Sequence, residues 1–411
     1  MKTIMTLKKK LYKIKWTVLK PYQQKYYFKK LQKTKRNAEV VRIGFVVQMP
    51  ELWDYEVDVY NELNSRSNCE AVLIVVPPYD MRSGKIQSDY DGNFFVNHYP
   101  NAIKAINEDG SIVDLKSLKL DYIFYQRPYD HYLPKELWSR VTMKYTRCCY
   151  IPYGYNGSAV FDELNTNQQF FSNISFVFSE SERANSLLVN RFKGTASGKY
   201  RRFEYLGYPG FDPYLNIRDN QKSQHISRIL WTPRWTTNSA LGCSHFMDYK
   251  DLFLSLPEQF PEIEFAFRPH PMMFGEFVRA GIMTQSEVDN YLEQLSSKGI
   301  RYEHDIKVYD SFKDTDLLIT DYSSIINLFF LTGKPIICCD TEIEFSGLTE
   351  KMSKFFYYAH NEEELRDNVQ VLVNGEDRYY QDRSSLIDME FSSTERASKR
   401  IADRIIEDYM E

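Results

Sequence analysis

The sequence predicts an α/β protein built from two Rossmann-like domains, each with a parallel sheet. Short apolar runs of buried-strand type alternate along the chain with longer amphipathic stretches, which is the order of strands and helices in parallel sheets. The 411 residues also exceed what one hydrophobic core usually supports. Because the alternation restarts after a polar, irregular stretch at 211–227, we expect domains at residues 38–212 and 225–390.

Five apolar runs are the predicted strands of the first domain, at residues 40–47, 71–76, 121–125, 147–151 and 174–178. An amphipathic pattern over 52–64 predicts a helix directly after the first of these strands. Strands that alternate with helices in this way form an open parallel sheet.

The second domain repeats this order, with predicted strands at 229–231, 265–268, 317–320 and 336–339. The apolar stretch 325–331, ended by Gly333 and Pro335, predicts a helix between the last two strands. A strand, loop, helix and strand in that order make the two strands parallel neighbours with a right-handed crossover. Alternating charge and isoleucine predict a terminal helix, which we place in a segment of its own at 391–411.

The composition is typical of a folded protein in a reducing compartment. Hydrophobic residues make up 43% and charged residues 26% of the chain, as in globular rather than disordered proteins. None of the six cysteines belongs to a CxxC motif, which argues against a disulfide framework and a zinc site. Because no apolar run reaches about 18 residues and no signal-peptide core occurs, we expect neither a transmembrane helix nor a secretory leader.

The N-terminal 36 residues hold 12 Lys and one Arg but no acidic residue, although the whole chain has a net charge of −4. Removing those 13 from the 52 basic residues leaves 39 against 56 acidic ones, so the remainder carries −17. Apolar residues recur in this arm at roughly helical spacing, with Trp16 and several tyrosines between them. We expect residues 1–37 to form a basic amphipathic helix that binds an anionic membrane surface. Nucleic acid is a competing partner that the few basic clusters elsewhere do not favour, and a solvated helix is the plain alternative.

Polar segments follow three strands of the second domain at the point where each strand ends. They are 231–236, 268–271 and 320–324, and a fourth segment, 207–212, lies at the domain junction. Carboxyl ends of parallel strands meet at one edge of a sheet, where open α/β sheets bind ligands, so we expect all four segments to converge. Trp231 and Trp235 can stack on a base there, although each can equally belong to the core.

Together these segments offer the donors that a diphosphate needs. Arg234 and Arg268 carry planar guanidinium groups that match phosphate oxygens. Ser323 and Ser324 can cap the helix that follows them, and the free N–H groups of that helix form an anion site. His270, between two prolines, can donate to a phosphate or transfer a proton near neutral pH, although a structural role is the alternative.

These motifs resemble a known family. RPHP at 268–271, DLLITDYSS at 316–324 and GKPII at 333–337 are similar, in that order, to the CDP-glycerol glycerophosphotransferases, the teichoic-acid glycerophosphate polymerase and primase family. GYPGFD at 207–212 and WTPRWT at 231–236 look like two further segments of that family. The resemblance covers roughly residues 150–345 and is specific as a combination, because other enzymes of the same GT-B fold share the acidic-serine loop.

The resemblance implies a GT-B-like fold, in which two Rossmann-like domains face each other across a cleft. It implies a nucleotide-activated polyol phosphate as donor, a membrane-associated acceptor, and no required metal or other cofactor. It also implies that His270, Asp321, Ser323 and Ser324 contact or activate the donor diphosphate. The basic arm would then hold the active site near a lipid-linked polymer.

One motif departs from the family. The polymerases carry W-H-G-T-P-x-K, with the histidine as the proposed catalytic base, where this chain has YIPYGYN at 150–156. Tyr153 stands at the histidine position, and an unperturbed tyrosine with a pKa of about 10 is a poor base at pH 7. Candidates for the acceptor side are Tyr153, Asn156 and His131, and further possible bases are His98, Glu51 and Asp54.

The leading hypothesis is a peripheral transferase at the cytoplasmic face of the cell membrane. It would move a polyol phosphate, preferably glycerol phosphate from CDP-glycerol, onto a lipid-linked teichoic-acid or capsular polysaccharide precursor. The lost histidine favours a second hypothesis, a GT-B glycosyltransferase that uses a nucleotide sugar in cell-surface polysaccharide synthesis. A binding partner without catalytic activity in a polymer-assembly complex is the third, because fold alone does not fix function. We expect no nucleic-acid partner under any of them.

Overall fold

The computed structural model of the protein describes residues 20–33, 38–80, 85–86, 90, 92–157, 169–192, 197–198, 201–219, 225–238, 243–304, 307–339, 344–391 and 395–411. These residues form two compact units. The first comprises the described residues up to Tyr155, those from 169 to Gly210 and those from Glu395 onward. The second comprises Asn156, Gly157 and the described residues from Phe211 to 391.

The first unit is built on a mostly parallel sheet. Its strands are β1 (Val41–Val47), β2 (Cys69–Val75), β3 (Tyr79–Asp80), β4 (Lys85–Ile86), β5 (Ile103–Lys104), β6 (Tyr122–Tyr125), β7 (Arg147–Tyr150), β8 (Phe176–Phe178), β9 (Ser197–Gly198) and β10 (Arg201–Glu204). The strands β3 and β4 pair with each other, and the others lie in the order β5-β2-β1-β6-β7-β8-β10-β9. Within the described ranges only β9 is antiparallel to its neighbour in this sheet. The five predicted strands are confirmed to within two residues at each end.

Helices cover this sheet on its two faces, as parallel strands that are buried on both sides require. They include α1 (Lys20–Lys33), α2 (Val57–Asn64), α3 (Phe94–His98), α4 (Ser139–Thr142) and α5 (Glu182–Arg191), with 3-10 turns at Pro50–Tyr55, Asp130–Tyr132, Lys135–Leu137, Gln169–Asn173 and Pro209–Phe211. The helix predicted over 52–64 is therefore two elements. The tighter first turn lets Trp53 pack edge-on against Phe45 at 6.0 Å between ring centroids, in a buried aromatic cluster.

The second unit holds a separate parallel sheet. Its strands are β11 (Arg228–Thr232), β12 (Glu264–Phe267), β13 (Arg301–Tyr302), β14 (Leu317–Thr320), β15 (Ile336–Cys339) and β16 (Tyr357–Ala359), in the order β13-β12-β11-β14-β15-β16. Its helices are α6 (Asp212–Asp219), α7 (Phe246–Gln259), α8 (Met273–Arg279), α9 (Gln285–Ser297), α10 (Val308–Asp314), α11 (Ile325–Phe330), α12 (Gly347–Ser353), α13 (Glu362–Val373) and α14 (Tyr380–Glu390). The four predicted strands and the short helix between the last two of them are confirmed.

One prediction for the connecting region is wrong. The stretch 211–227 looked irregular because polar residues dominate it, yet α6 is an ordinary helix. Tyr214, Leu215 and Ile217 are buried on this helix, so three apolar side chains suffice to hold it against its own unit.

The last helix, α15 (Ala397–Met410), belongs to the first unit. Its Asp408 is 1% exposed, forms an ion pair with Arg147 and accepts a hydrogen bond from the Tyr122 hydroxyl at 2.5 Å. Arg66 of the loop after α2 forms a second ion pair with Asp403 at 2.6 Å. These contacts hold helix α15 against the first unit.

Helix α1 is the part of the basic arm that the structure describes. Phe28 is 4% exposed and packs into the first unit's core, and the Gln24 amide donates to Asn173 Oδ1 at 3.1 Å. Tyr22 and Tyr26 are 74% and 60% exposed. The remaining apolar residues on which the amphipathic prediction depends, at 4–19, lie outside the described residues.

All six cysteines lie within the described residues as free thiols, and four of them are buried. None of the helices in the described ranges combines the length and the apolar character needed to cross a membrane.

Candidate active site

Three strands of the second sheet end side by side. Strand β11 lies between β12 and β14, and the register pairs Trp231 with Phe267 and Thr232 with Thr320. The segments that follow these strands therefore leave the sheet at the same edge, as expected. Because the chain places β12 on one side of β11 and β14 on the other, this edge is also the topological switch point of the sheet, where α/β proteins bind ligands.

The fourth predicted segment is divided between the two units, with Phe211 and Asp212 in the second. Gly207 to Gly210 lie in the first unit, where the Tyr208 hydroxyl donates to the carbonyl of Pro152 at 3.0 Å. The three segments that follow β11, β12 and β14 are thus the ones that the register of the second sheet brings to one edge.

Backbone hydrogen bonds align the RPHP segment with the segment that follows β11. The Arg268 N–H donates to the Trp231 carbonyl at 2.9 Å, and the His270 N–H donates to the Pro233 carbonyl at 3.2 Å. Since Pro269 and Pro271 fix the backbone on both sides of His270, its position at the edge is held rigidly.

Arg234 is the buried cation of this edge, with 8% of its surface exposed. Its N–H donates to Asp321 Oδ2 at 2.8 Å, and its Nη1 donates to the Tyr322 carbonyl at 2.6 Å. Its Nε is buried and has no hydrogen-bond partner among the described residues. Burial lowers the pKa of Arg234, but the guanidinium stays charged because its ordinary value exceeds about 12. The site therefore contains a fixed cation with donor capacity left over.

His270 is a neutral hydrogen-bond donor in this structure. Its Nδ1 accepts from the Met272 N–H at 3.2 Å, so the proton of the neutral ring is on Nε2. Partial withdrawal from water and then the charge of Arg234 lower the pKa of His270 to about 4. This differs from the expected proton transfer near neutral pH, although the negative charge of a bound diphosphate would raise the pKa again.

Asp321 holds two loops together. It is 1% exposed, and its Oδ2 accepts from the backbone N–H groups of Arg234 at 2.8 Å and His245 at 3.2 Å. Burial raises the pKa of Asp321 to about 6 against the opposing effect of these N–H groups. Because Oδ2 already accepts from these two N–H groups, Asp321 positions the backbone of Arg234 and does not offer that oxygen to a ligand.

The two serines do not cap helix α11, so that prediction is wrong. Ser324 occupies the N-cap position without a side-chain hydrogen bond and is exposed. The Ser323 hydroxyl is buried and has no partner within the part of the chain that the structure describes. Because α11 has only six residues, its dipole is a weak source of anion affinity.

Arg268 only partly joins this cluster. Its backbone lies at the edge, but the electrostatic neighbours of its guanidinium are Glu303 and Tyr214, which oppose the lowering of its pKa by burial. Its Nη1 is buried without a hydrogen-bond partner in the described ranges. The structure thus brings Arg234, His270 and Asp321 together and leaves the Arg268 side chain among other partners.

The two tryptophans differ. Trp231 is 1% exposed and lies in the core, with ring centroids 4.7 Å from Phe253 and 5.3 Å from Phe267, so the idea that it stacks on a base is wrong. Trp235 is half-buried, 5.9 Å from the ring of His270, and remains a candidate for a stacking surface.

His245 is a neighbour of this site that the sequence did not reveal. It precedes α7, and its Nδ1 lies 3.0 Å from Asp248 Oδ2. Its Nε2 is buried with no hydrogen-bond partner among the described residues. Its position directly before an amphipathic helix was the only available signal, and such positions are usually structural.

Two of the acceptor-side candidates lie on either side of Tyr129, whose ring centroid is 6.4 Å from that of Tyr153 and 6.0 Å from that of His131. The Tyr153 hydroxyl lies 3.1 Å from that of Tyr129, and burial raises the pKa of Tyr153 further above its ordinary value, which makes it a worse base than an exposed tyrosine. His131 is exposed and lies against the ring of Tyr132 at 4.0 Å. Asn156 belongs to the second unit.

Sequence reasoning also missed a buried carboxyl group in the first unit. Glu56 follows the turn Pro50–Tyr55, is 2% exposed, and has no hydrogen-bond partner for either oxygen in the described chain. Burial raises its pKa to about 8. The sequence favoured Glu51 and Asp54 of the same loop, which are exposed and half-buried. Within the described ranges no group of three His, Cys, Asp or Glu side chains is arranged to hold a metal ion.

Comparison with known families matches residues 159–407 to the CDP-glycerol:poly(glycerophosphate) glycerophosphotransferase family. The chain belongs to this family. The match covers more than half of the chain and includes all three segments of the site. The recognition from motifs is therefore confirmed, and the protein is an enzyme of the glycerophosphotransferase type. A separate comparison with curated proteins found no match.

Solved structures support the fold. A structure of the wall teichoic acid polymerase TagF is 15% identical, with a TM-score of 0.56 over 99% of this chain and 98% of that chain. A UDP-N-acetylglucosamine 2-epimerase is 12% identical with a TM-score of 0.57 over 90% and 96%, and the UDP-GlcNAc 2-epimerase from Methanocaldococcus jannaschii is 12% identical with 0.55 over 89% and 100%. At these identities the likeness concerns the fold, and it confirms the predicted GT-B-like α/β class.

Proposed function

We propose that this family member transfers a polyol phosphate, glycerol phosphate from CDP-glycerol, onto a hydroxyl group of a teichoic-acid or capsular polysaccharide precursor. The observation that carries this proposal is the set of unsatisfied donors at the switch point of the second sheet. Arg234 has a free Nε, His270 presents Nε2–H, and Ser323 has a free hydroxyl, all counted over the described residues. The carboxylate of Asp321 accepts from two backbone N–H groups through Oδ2, while its buried Oδ1 has no hydrogen-bond partner among the described residues. Such a set suits a diphosphate.

The proposed reaction breaks one P–O bond and forms another. The acceptor oxygen attacks the phosphorus that bears the glycerol, the bond from that phosphorus to the bridging oxygen breaks, and cytidine monophosphate leaves. Negative charge grows on the leaving phosphate, where Arg234 and His270 would stabilise it, and such stabilisation usually supplies most of the rate enhancement in phosphoryl transfer. We keep Arg268 as a second cation because its Nη1 has no partner in the described ranges. The acceptor's proton must pass to a base.

A transfer assay with CDP-glycerol tests the role of His270. We expect His270→Ala to lower kcat at least tenfold, since one donor to a developing charge is commonly worth 10²-fold or more. His360→Ala is the matched control, because His360 is an exposed histidine of the same unit. Full activity in a folded His270→Ala protein would refute the proposal.

The second candidate is a GT-B glycosyltransferase that uses a nucleotide sugar. It is favoured by Tyr153, which stands where the family has a histidine and whose pKa is raised by burial. Calorimetric titration with CDP-glycerol, CDP-ribitol and UDP-sugars separates the two candidates. Saturable binding of a UDP-sugar together with no binding of CDP-glycerol would favour the glycosyltransferase.

We further propose that the enzyme works at the cytoplasmic face of the membrane on a lipid-linked acceptor, with helix α1 against an anionic surface. Phe28 fixes this helix to the first unit, while Lys25, Lys29, Lys30 and Lys33 and two of its tyrosines are exposed, which suits the interface of a membrane. Replacing Lys25, Lys29, Lys30 and Lys33 by Gln should abolish sedimentation with anionic liposomes. The control replaces four exposed lysines of the second unit, namely Lys298, Lys313, Lys351 and Lys354. Unchanged sedimentation of the α1 variant would contradict this part of the proposal.

A further inference from the structure

Helix α7 begins at the carboxyl edge of the second sheet, directly after His245. The backbone N–H of His245 donates to Asp321 Oδ2 at 3.2 Å. The next residue, Phe246, is buried, and its ring stacks on that of Trp231 with the ring centroids 5.6 Å apart. The backbone and the core therefore hold His245 at this edge, and its imidazole is left for other contacts.

The same oxygen of Asp321 joins His245 to the donor-type site, the cluster formed by Arg234, His270 and Asp321. Asp321 Oδ2 accepts from the Arg234 N–H at 2.8 Å as well as from the His245 N–H, so the two backbone nitrogens are close neighbours. Burial raises the pKa of Asp321, whereas the backbone N–H of Arg234 and then the charge of His245 lower it. The imidazole therefore lies within electrostatic reach of the cluster.

Asp248, in the first turn of α7, sets the direction of this imidazole. Its Oδ2 lies 3.0 Å from His245 Nδ1. Because a carboxylate can only accept, the proton of this hydrogen bond is on Nδ1, and Nε2 points away from Asp248. Nε2 is shielded from solvent and has no hydrogen-bond partner within the part of the chain that the structure describes. One ring nitrogen is thus engaged, and the other is left beside the donor-type site.

We propose that His245 is a further residue that binds the donor diphosphate, to which its Nε2–H donates while its Nδ1–H donates to Asp248. The inference rests on the proposed function and adds a cation beside Arg234, because an imidazole with both protons is charged. The ring also separates the Asp248 carboxylate from the anion. His245 is the N-cap residue of α7, whose 14 residues give it a stronger dipole than that of α11, and the positive end of this dipole favours phosphate.

Asparagine and glutamine at position 245 test which ring nitrogen matters. The amide of Asn lies near the place of Nδ1 and that of Gln near the place of Nε2, and both variants keep the backbone N–H that binds Asp321. His245→Asn should weaken CDP-glycerol binding about tenfold or more, because a hydrogen bond to a charged group is lost. His245→Gln puts a neutral donor back, so its loss of affinity should be clearly smaller. Wild-type affinity of His245→Asn in calorimetry, or an equal loss in both variants, would overturn the inference.

A purely structural role of His245 would disturb every ligand of the site, whereas a contact with the diphosphate concerns only ligands that carry phosphate. Inhibition of the transfer assay by CDP and by cytidine separates the two roles. His245→Asn should raise the inhibition constant of CDP about tenfold or more and leave that of cytidine within about twofold. A similar increase for both inhibitors would contradict the proposed contact.

Asp248→Ala is a second variant, which keeps the test open if the His245 variants do not fold, because the Asp248 side chain is 62% exposed. Without the carboxylate the imidazole loses its orientation, so the affinity for CDP-glycerol should fall about threefold or more. Asp251→Ala is the matched control, at an exposed Asp of the same helix that pairs with Lys250, and should bind like the wild type. Wild-type affinity of Asp248→Ala would also overturn the inference. Failure of the wild type to bind CDP-glycerol is a different result, which would contradict the proposed function itself.

Discussion

Glu56→Gln should make the protein more stable at high pH. In the unfolded chain this carboxyl ionises near pH 4.5, whereas burial raises its pKa in the folded protein to about 8. The folded state therefore holds a proton that the unfolded state has released, and its stability falls as the pH rises from 4.5 to 8. Glutamine has nearly the same shape and no proton to lose, so the variant avoids this loss.

The magnitude follows from the pKa shift. A change from 4.5 to about 8, at about 1.4 kcal/mol per pKa unit, corresponds to about 5 kcal/mol at most. Entry of water into the site would reduce it, so we expect a difference of at least about 2 kcal/mol between pH 5 and pH 8. Because Glu56 is 2% exposed and neither oxygen has a hydrogen-bond partner among the described residues, nothing in the described surroundings offsets the cost of ionisation.

Urea unfolding followed by circular dichroism at several pH values measures this effect. The free energy of unfolding of Glu56→Gln minus that of the wild type should be small at pH 5 and increase steadily to pH 8. Glu108→Gln, at an exposed Glu of the same unit, should show a difference that does not vary with pH. A Glu56→Gln difference that is constant over the whole range would refute the reasoning.

Two further predictions concern the donor-type site and the terminal helix. Arg234→Ala should weaken CDP-glycerol binding about 10- to 100-fold, because charge-assisted hydrogen bonds are lost. Arg279→Ala, at an exposed arginine of the same unit, should leave the affinity unchanged. Equal affinities of the two variants, measured by calorimetry, would contradict this prediction. Asp408→Ala should destabilise the protein by about 3–5 kcal/mol, because it removes the carboxylate that pairs with the buried charge of Arg147. A decrease of less than about 1 kcal/mol in the free energy of unfolding, measured in urea, would argue against this explanation.

Much of the fold could be predicted because its signals are local. Strands such as Leu317–Thr320 and Ile336–Cys339 are buried apolar runs whose bounds match the prediction residue for residue. The convergence of the RPHP segment with Arg234 and Asp321 could also be predicted, because neighbouring parallel strands end at the same edge of a sheet. Helix α6 was missed because three buried side chains among polar residues are too weak a pattern.

The remaining features depend on contacts between residues distant in sequence. Trp231 and Trp235 flank the same strand end, and only packing against Phe253 and Phe267 places the first of them in the core. The Ser324 side chain does not cap α11, because the backbone of Ser324 is itself helical (φ −59°, ψ −26°), whereas a capping residue is usually extended.

Glu56 was missed for a related reason. A glutamate in a loop is usually solvated. The burial of Glu56 and the lack of a hydrogen-bond partner for its oxygens among the described residues arise from the tertiary structure.

The central claim is that the carboxyl edge of the second sheet binds the diphosphate of a nucleotide-activated polyol. Calorimetric titration of the full chain with CDP-glycerol, for the wild type and for His270→Ala, tests it most directly. The account predicts saturable binding by the wild type and at least tenfold weaker binding by the variant. Absence of binding by the wild type, or equal affinity in the two proteins, would contradict it.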